Sequence, residues 1–303
     1  MSIPMILHPG NENLGLSLKR SIPCQILETK IRKFPDGESY VRFLEPVTPG
    51  PLVILASLNQ PDTKLLPLIF AANRARDMGA KPLILVAPYL AYLRQDQEFN
   101  KGEVVTNREF ATLISNYFDH LITVDPHLHR IDSLNQIYSI STDCLQSAPL
   151  IAQWILKHVT KPVVIGPDSE SKQWVQEIAH MADAPYEVFS KQRLSDKEVQ
   201  LKLPDMTPYQ DHVPVLADDI ISTAGTMIEA VNGLKKLLPL AAVCVGIHGI
   251  FANNSHLKLQ ANGIRELITT NTISHSTNQI DVAPLITSAV QEYLVRIGVK
   301  VSK

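Results

Sequence analysis

Cysteine is scarce in this chain: 303 residues hold only Cys24, Cys144 and Cys244, about a hundred positions apart and with no CxxC pair. That spacing excludes a disulfide framework and a cysteine-rich metal site, and the expectation is three buried thiols in a reducing compartment. Long hydrophobic runs are missing too. Nothing approaches the ~20 apolar residues of a membrane span, and the first residues lack the charged-then-apolar build of a signal peptide. Excess charge of one sign is absent: 28 Lys and Arg against 30 Asp and Glu leave a net charge of −2, which argues against a large nucleic-acid-binding face. A cytoplasmic chain with no membrane and no nucleic-acid partner is therefore expected. Four motifs are also absent: GxxxxGK[ST], a strand-following GxGxxG, GxSxG and HExxH. Walker and dinucleotide cradles, the nucleophile elbow and the zincin helix are thereby excluded.

What is present is ample apolar material, 45% of residues against 19% charged, which rules out disorder for the bulk of the chain. The length suggests about two domains at roughly 150 residues each. Wholly apolar runs recur at 52–56, 82–87, 121–124, 162–166, 213–217 and 241–247. Continuous rather than alternating apolarity fits strands buried on both faces, as in parallel sheets. Between these runs, 62–78, 106–118, 223–238 and 281–297 carry apolar residues at helical spacing, and Gly79 closes the first. The fold class is α/β, with two domains that are each a parallel sheet flanked by helices. The polar, patternless stretch 136–147 places the boundary near residue 142, giving domains 1–142 and 143–303, with the terminal helix free to pack back on the first.

In open α/β sheets, ligands bind at the carboxyl ends of strands. Four such ends carry chemically competent residues: 88–98 after the second run, 125–130 after the third, 167–172 after the fourth and 218–226 after the fifth. The last is the sharpest. Asp218 and Asp219 stand at the end of a buried strand, and Ser222, Thr223, Ala224, Gly225 and Thr226 open a helix. Hydroxyls, backbone N–H groups and a positive helix end make a cradle for a phosphate monoester. The two carboxylates can accept hydrogen bonds from vicinal hydroxyls one sugar length away. Gly225 is expected to supply close approach or an unusual φ. The bland alternative is an ordinary helix start capped by Ser222 or Thr223.

The segment Asp218–Thr226 resembles the phosphoribosyl-pyrophosphate (PRPP) loop shared by type I phosphoribosyltransferases and PRPP synthetases. Further motifs favour the synthetases, the ribose-phosphate diphosphokinases. Phe34-Pro35-Asp36-Gly37-Glu38 resembles their ATP loop, and 88–96 resembles their second ATP segment. Val124-Asp125-Pro126-His127 is similar to their metal turn, and Pro167-Asp168 to the start of their pyrophosphate loop. Lys191-Gln192-Arg193 resembles the start of their mobile catalytic segment, and His248-Gly249-Ile250-Phe251 a late motif. The matches run in family order from 34 to 251, and the short stretch after Arg193 is nearer the archaeal-type branch.

The resemblance implies a fold of the phosphoribosyltransferase type and diphosphoryl transfer from ATP to the 1-hydroxyl of ribose 5-phosphate, giving PRPP and AMP. It places Phe34, Asp36 and Glu38 on the adenine, Arg94 on adenine or phosphate, and Gln95 and Asp96 beside Arg94. It implies Mg²⁺ near His127 and Asp168; by donor chemistry alone Asp168 is the better candidate, because Mg²⁺ prefers oxygen. Lys191 and Arg193 would neutralise the transferring phosphate, and a homo-oligomer is implied. Two departures stand out. Ser222 occupies a position usually acidic, and Ser169-Glu170-Ser171 stands where glycines or small residues are common. Other readings are a non-catalytic synthetase-like regulatory subunit and a type I phosphoribosyltransferase.

Overall fold

The computed structural model describes residues 2–128, 130–193, 199–202 and 204–299. The chain divides into two compact units, residues 1–146 with 272–274 and 282–303, and residues 147–271 with 275–281.

The first unit runs β1 (Ile3–Leu7), α1 (Glu12–Ser21), β2 (Cys24–Ile26), β3 (Thr29–Lys33), β4 (Ser39–Phe43), β5 (Gly50–Leu55), α2 (Pro61–Asp77), β6 (Ala80–Ala87), α3 (Thr106–Tyr117), β7 (His120–Val124) and β8 (Ser141–Leu145). Six strands form a parallel sheet in the order β2-β1-β5-β6-β7-β8. The apolar runs expected as strands lie in its middle, where Leu52 to Leu55 and Leu83 to Ala87 are sealed from water. A strand covered on both faces has no polar side, which explains why these runs do not alternate. Strands β3 and β4 form a separate antiparallel hairpin, Ile31 opposite Val41.

The polar stretch 136–147 contains the edge strand β8, and the division falls within that stretch, after Gln146, four residues past the expected position. Only one neighbour pairs with β8, so half its surface faces water and its sequence lacks the apolar signature. Cys144 sits there exposed, against the expectation of three buried thiols; Cys24 and Cys244 are buried.

The second unit runs α4 (Ala148–His158), β9 (Pro162–Gly166), α5 (Lys172–Met181), β10 (Tyr186–Val188), β11 (Ser190–Arg193), β12 (Val199–Lys202), β13 (Val213–Ile221), α6 (Gly225–Leu234), β14 (Val243–Gly249), α7 (Ser255–Ala261), β15 (Glu266–Thr270) and β16 (Asn278–Ile280). Its six-stranded sheet has the order β10-β9-β13-β14-β15-β16, again parallel, with β11 and β12 as a separate antiparallel pair. Val163, Ile165, Phe189, Leu216, Met227 and Val231 share one buried cluster beneath α6.

Helix α8 (Ala283–Arg296) belongs to the first unit, where it packs on α1 and on the β7–β8 edge. The wholly buried His120 lies flat against Tyr293 of α8, ring centroids 3.8 Å apart. Both imidazole nitrogens are satisfied, by Ser141 Oγ at 2.7 Å and Asp143 Oδ2 at 3.0 Å. Among the described residues no helix is long and apolar enough to cross a membrane.

At the carboxyl end of β1, His8 is 3% exposed and both its ring nitrogens lack hydrogen-bond partners. Burial, then the nearby Lys64 ammonium, hold its pKa down to about 4. The native state therefore refuses a proton that the unfolded chain accepts below about pH 6.5. Stability should fall as pH drops from about 6.5 to about 4, by about 3 kcal/mol in full. His8→Asn is expected to flatten that slope in denaturant midpoints taken across this range. An unchanged slope would place the acid sensitivity elsewhere.

Candidate active site

In each sheet the strand order reverses once, between β1 and β5 in the first unit and between β9 and β13 in the second. Chains leaving two strands on opposite sides open a crevice at such a switch point. In the second unit the loops flanking it are those carrying Asp168 and Asp218–Thr226, two of the four singled out from sequence.

After β13 the backbone makes an unusual start to α6. Ala224 is the N-cap in the left-handed conformation (φ 61°, ψ 11°), and no side chain caps the helix. The bland alternative, a helix start capped by Ser222 or Thr223, is thus excluded; of the two uses expected of Gly225, the unusual φ falls to Ala224 instead. A Cβ at Gly225 would meet only Thr223 Oγ1, at 3.9 Å. Neither backbone nor packing demands glycine there, which leaves approach from outside as its use. A left-handed alanine costs on the order of 1 kcal/mol and persists only where neighbours over-determine it. A left-handed residue at such a turn can bring successive backbone N–H groups to face one point, the arrangement that receives an anion. Asp218 and Asp219 are half-buried just before it, and Asp218 Oδ1 accepts the Asp219 N–H at 3.1 Å.

After β9, Asp168 caps a short 3₁₀ turn, Ser169–Ser171: its Oδ1 accepts the Glu170 N–H at 3.2 Å. Ser171 is buried and its hydroxyl donates to the Asp168 carbonyl at 2.6 Å. Gly166 makes room for it, since a Cβ there would stand 2.3 Å from Ser171 Oγ. The Glu170 side chain is exposed. Beside this loop the Phe189 N–H donates to the Gly166 carbonyl at 2.9 Å. Strand β11, with Lys191 and Arg193, follows directly, its backbone paired so that Lys191 opposes Leu201 and Arg193 opposes Val199. Residues 194–198, the continuation of the expected catalytic segment, lie outside the described residues.

In the first unit the loop 34–38 is the tip of the β3–β4 hairpin. The Phe34 N–H donates to the Glu38 carbonyl at 2.7 Å, the Gly37 N–H to the Phe34 carbonyl at 2.9 Å, and the Glu38 N–H to Asp36 Oδ1 at 3.2 Å. Gly37 has φ 96°, a value that favours glycine. Phe34 is 38% exposed, so it is not a core aromatic. Its ring meets Tyr40 edge-on at 5.7 Å, and the Arg32 guanidinium lies 4.5 Å from both ring centroids. Cation–π contact fixes an outward-facing aromatic plane flanked by the exposed Asp36 and Glu38.

Arg94 is exposed after β6. Gln95 and Asp96, which the resemblance puts beside Arg94, make contacts of their own. Gln95 accepts from the Asn107 N–H at 3.4 Å and from the Thr106 hydroxyl at 3.3 Å, holding the start of α3. Asp96, nearly buried, pairs with Arg130 at 2.7 Å, and Arg130 stacks over Phe99 at 5.3 Å. That pair ties the loop after β6 to the loop after β7. Sequence reasoning missed Arg130; its only signal is a cation within a strand-end loop. His127 is half-exposed just past Asp125, which has φ 37° and donates its N–H to the Leu145 carbonyl at 2.8 Å. Neighbouring His129 lies outside the described residues.

Among the described residues no group of three or more His, Cys, Asp or Glu is placed to hold a metal ion by itself. Mg²⁺ asks for less, usually one or two carboxylates plus substrate phosphates and waters. Asp168 after β9, and Asp218 and Asp219 near the carboxyl end of the adjacent β13, each offer the hard oxygens Mg²⁺ prefers.

A parallel sheet with two carboxylates and an uncapped helix start at its switch point defines the phosphoribosyltransferase type of α/β protein. Comparison with known proteins agrees and goes further. Residues 5–117 match the N-terminal domain of ribose phosphate pyrophosphokinase, and residues 137–285 match the phosphoribosyl transferase domain. The ribose-phosphate pyrophosphokinase of Methanopyrus kandleri is 32% identical over 283 residues, 92% of this chain and 95% of that protein. That of Sulfurisphaera tokodaii is 31% identical over 291 residues, 93% of this chain and 99% of that protein. The crystal structure of phosphoribosylpyrophosphate synthetase from Mycobacterium smegmatis shares the fold, with a TM-score of 0.85 at 22% identity, covering 98% of this chain and 100% of that one. This chain belongs to the ribose-phosphate pyrophosphokinase family, beside its archaeal members.

Proposed function

We propose that the chain transfers the diphosphoryl group of ATP to the 1-hydroxyl of ribose 5-phosphate, forming PRPP and releasing AMP. The observation that carries this is the loop after β13, an uncapped helix start entered through left-handed Ala224 and preceded by two carboxylates at the switch point. Backbone N–H groups and the hydroxyls of Ser222, Thr223 and Thr226 receive the 5-phosphate. Asp218 and Asp219 accept hydrogen bonds from ribose hydroxyls. The Phe34 ring offers adenine a stacking plane, with Asp36 and Glu38 at the base edge and Arg94 at anionic oxygens.

The 1-hydroxyl oxygen forms a bond to the β-phosphorus as the bond from that phosphorus to the α–β bridging oxygen breaks, and AMP leaves with the bridging oxygen. The hydroxyl proton passes to solvent, and because the sugar hydroxyl is itself the nucleophile, no protein nucleophile is required. Lys191 and Arg193 hold the charge growing on the transferring phosphate. Mg²⁺ would be held with the substrate phosphates at Asp168 on the ribose side, and at His127 on the ATP side, and would supply charge neutralisation there. The match of residues 5–117 to the pyrophosphokinase N-terminal domain favours this reading over a phosphoribosyltransferase. We further place the enzyme in the cytoplasm as a homo-oligomer with ATP and ribose 5-phosphate as its partners.

The test is direct. Incubation with ATP, Mg²⁺ and ribose 5-phosphate should yield AMP only when the sugar phosphate is present. Sugar-independent ATP breakdown, or no AMP at all, would reject the activity and leave the regulatory-subunit alternative.

Glu170 bears on the same question. Like-charge repulsion with pyrophosphate would cost roughly 1–4 kcal/mol at an effective dielectric near 20 if its carboxylate faced the site. Its backbone N–H donates to Asp168 Oδ1 and its side chain is exposed, which favours the outward-facing reading. Glu170→Gly is therefore expected to leave the Mg²⁺ dependence of the rate unchanged. A large gain in activity across a Mg²⁺ series would show that the carboxylate faces the ligand after all.

A further inference from the structure

The conformation of the phosphate loop is imposed from behind, by the segment that follows β14. Both the Ile250 and the Phe251 N–H donate to the Ile221 carbonyl, at 3.1 and 3.0 Å. Four residues on, the Ser255 hydroxyl donates to the Ser222 carbonyl at 2.5 Å, and Ser255 is 1% exposed. A trans peptide sets its carbonyl and the next N–H antiparallel. Holding the Ile221 and Ser222 carbonyls toward 250–255 therefore aims the Ser222 and Thr223 N–H groups the opposite way. Those are the first two donors leading into left-handed Ala224.

The backing segment is itself built to reach this position. Phe251, Asn253 and Asn254 all have φ between 50° and 56°, a run that bends the chain so that Ser255 returns to β13. Phe251 is buried, its ring 5.4 Å from His256 and 4.5 Å from His275. Ile221 packs where Gly246 leaves room, since a Cβ at Gly246 would stand 2.6 Å from the Ile221 Cδ1. Of these contacts, only the Ser255 hydroxyl is a side-chain hydrogen bond to the loop.

We propose that Ser255 is a positioning residue for sugar-phosphate recognition, acting through the Ser222 peptide to aim the phosphate-binding N–H groups. It touches no substrate, and its role rests on the reading of 218–226 as the ribose 5-phosphate loop. Ser255→Ala should raise the KM and the calorimetric Kd for ribose 5-phosphate about tenfold, a loss of about 1.4 kcal/mol. The KM for ATP should stay within about twofold. Ser255→Thr, which keeps the hydroxyl, should restore most of the affinity. A purely structural serine would lower the thermal midpoint without this substrate-selective split.

Asp219→Asn, measured in parallel, separates two failures. If Asp219→Asn weakens ribose 5-phosphate binding while Ser255→Ala does not, the loop reading stands and the positioning role is overturned. If neither substitution changes ribose 5-phosphate affinity, the loop reading falls and takes the positioning role with it. Equal weakening of ATP and ribose 5-phosphate by Ser255→Ala also overturns the proposal.

Discussion

Replacing Lys191 with alanine is expected to lower kcat by about three orders of magnitude while the KM for ribose 5-phosphate moves less than about threefold. A cation that meets charge only as it develops contributes to the transition state and little to the ground state. Cations placed in this way on transferring phosphoryl groups are worth about 10³–10⁵ in rate. The backbone supports the placement. Phe189, fully buried, anchors the start of β11 in the core, and its N–H bonds the Gly166 carbonyl, two residues before Asp168. Lys191 thus leaves the sheet beside the loop assigned to pyrophosphate. Steady-state kinetics with each substrate varied in turn decides the matter. Comparable losses in kcat and in sugar-phosphate affinity would make Lys191 a binding residue. Because Lys191 and Arg193 would act on one phosphate, the double alanine variant should lose far less than the product of the single losses.

How legible the protein was from its residues depends on how many faces each element buries. The strands at 52–56, 82–87, 121–124, 162–166, 213–217 and 241–247 were readable because two covered faces leave no polar side. The edge strand β8 was not, since Ser141, Thr142 and Asp143 give it the composition of a loop. Nor was the β3–β4 hairpin, whose Thr29-Lys30-Ile31-Arg32-Lys33 run is largely solvated on both faces. Its tip alone was visible, through Phe34 and Gly37. Within the site, residue types and their strand-end positions were legible for Asp168 and for 218–226. Partnerships were not. Asp96 pairs with Arg130 across 34 positions, and no local pattern announces it. The positive φ at Ala224 was hidden for a related reason. Local chemistry nominates Gly225, whereas contacts from residues 250–255 fix where the bend falls.

The two adjacent acids of β13 provide the second large effect. Asp219→Asn is expected to raise the KM for ribose 5-phosphate about 10–100-fold, because a hydrogen bond to a charged group contributes about 1.5–3 kcal/mol. The KM for ATP should change less than about threefold, since hydroxyl recognition is local to this loop. Asp218→Asn should have the smaller effect on the sugar phosphate. Its Oδ1 already accepts the Asp219 N–H at 3.1 Å, and an asparagine oxygen can keep that bond. Successive strand residues also point to opposite faces, so the two carboxylates meet a ligand at the strand end from different sides and are not interchangeable. Calorimetric titration of both variants with ribose 5-phosphate, alongside KM for each substrate, tests the ranking. A larger shift for ATP than for the sugar phosphate would remove 218–226 from the ribose site. Equal losses for the two variants would refute the division of labour between the acids while leaving the loop where it is.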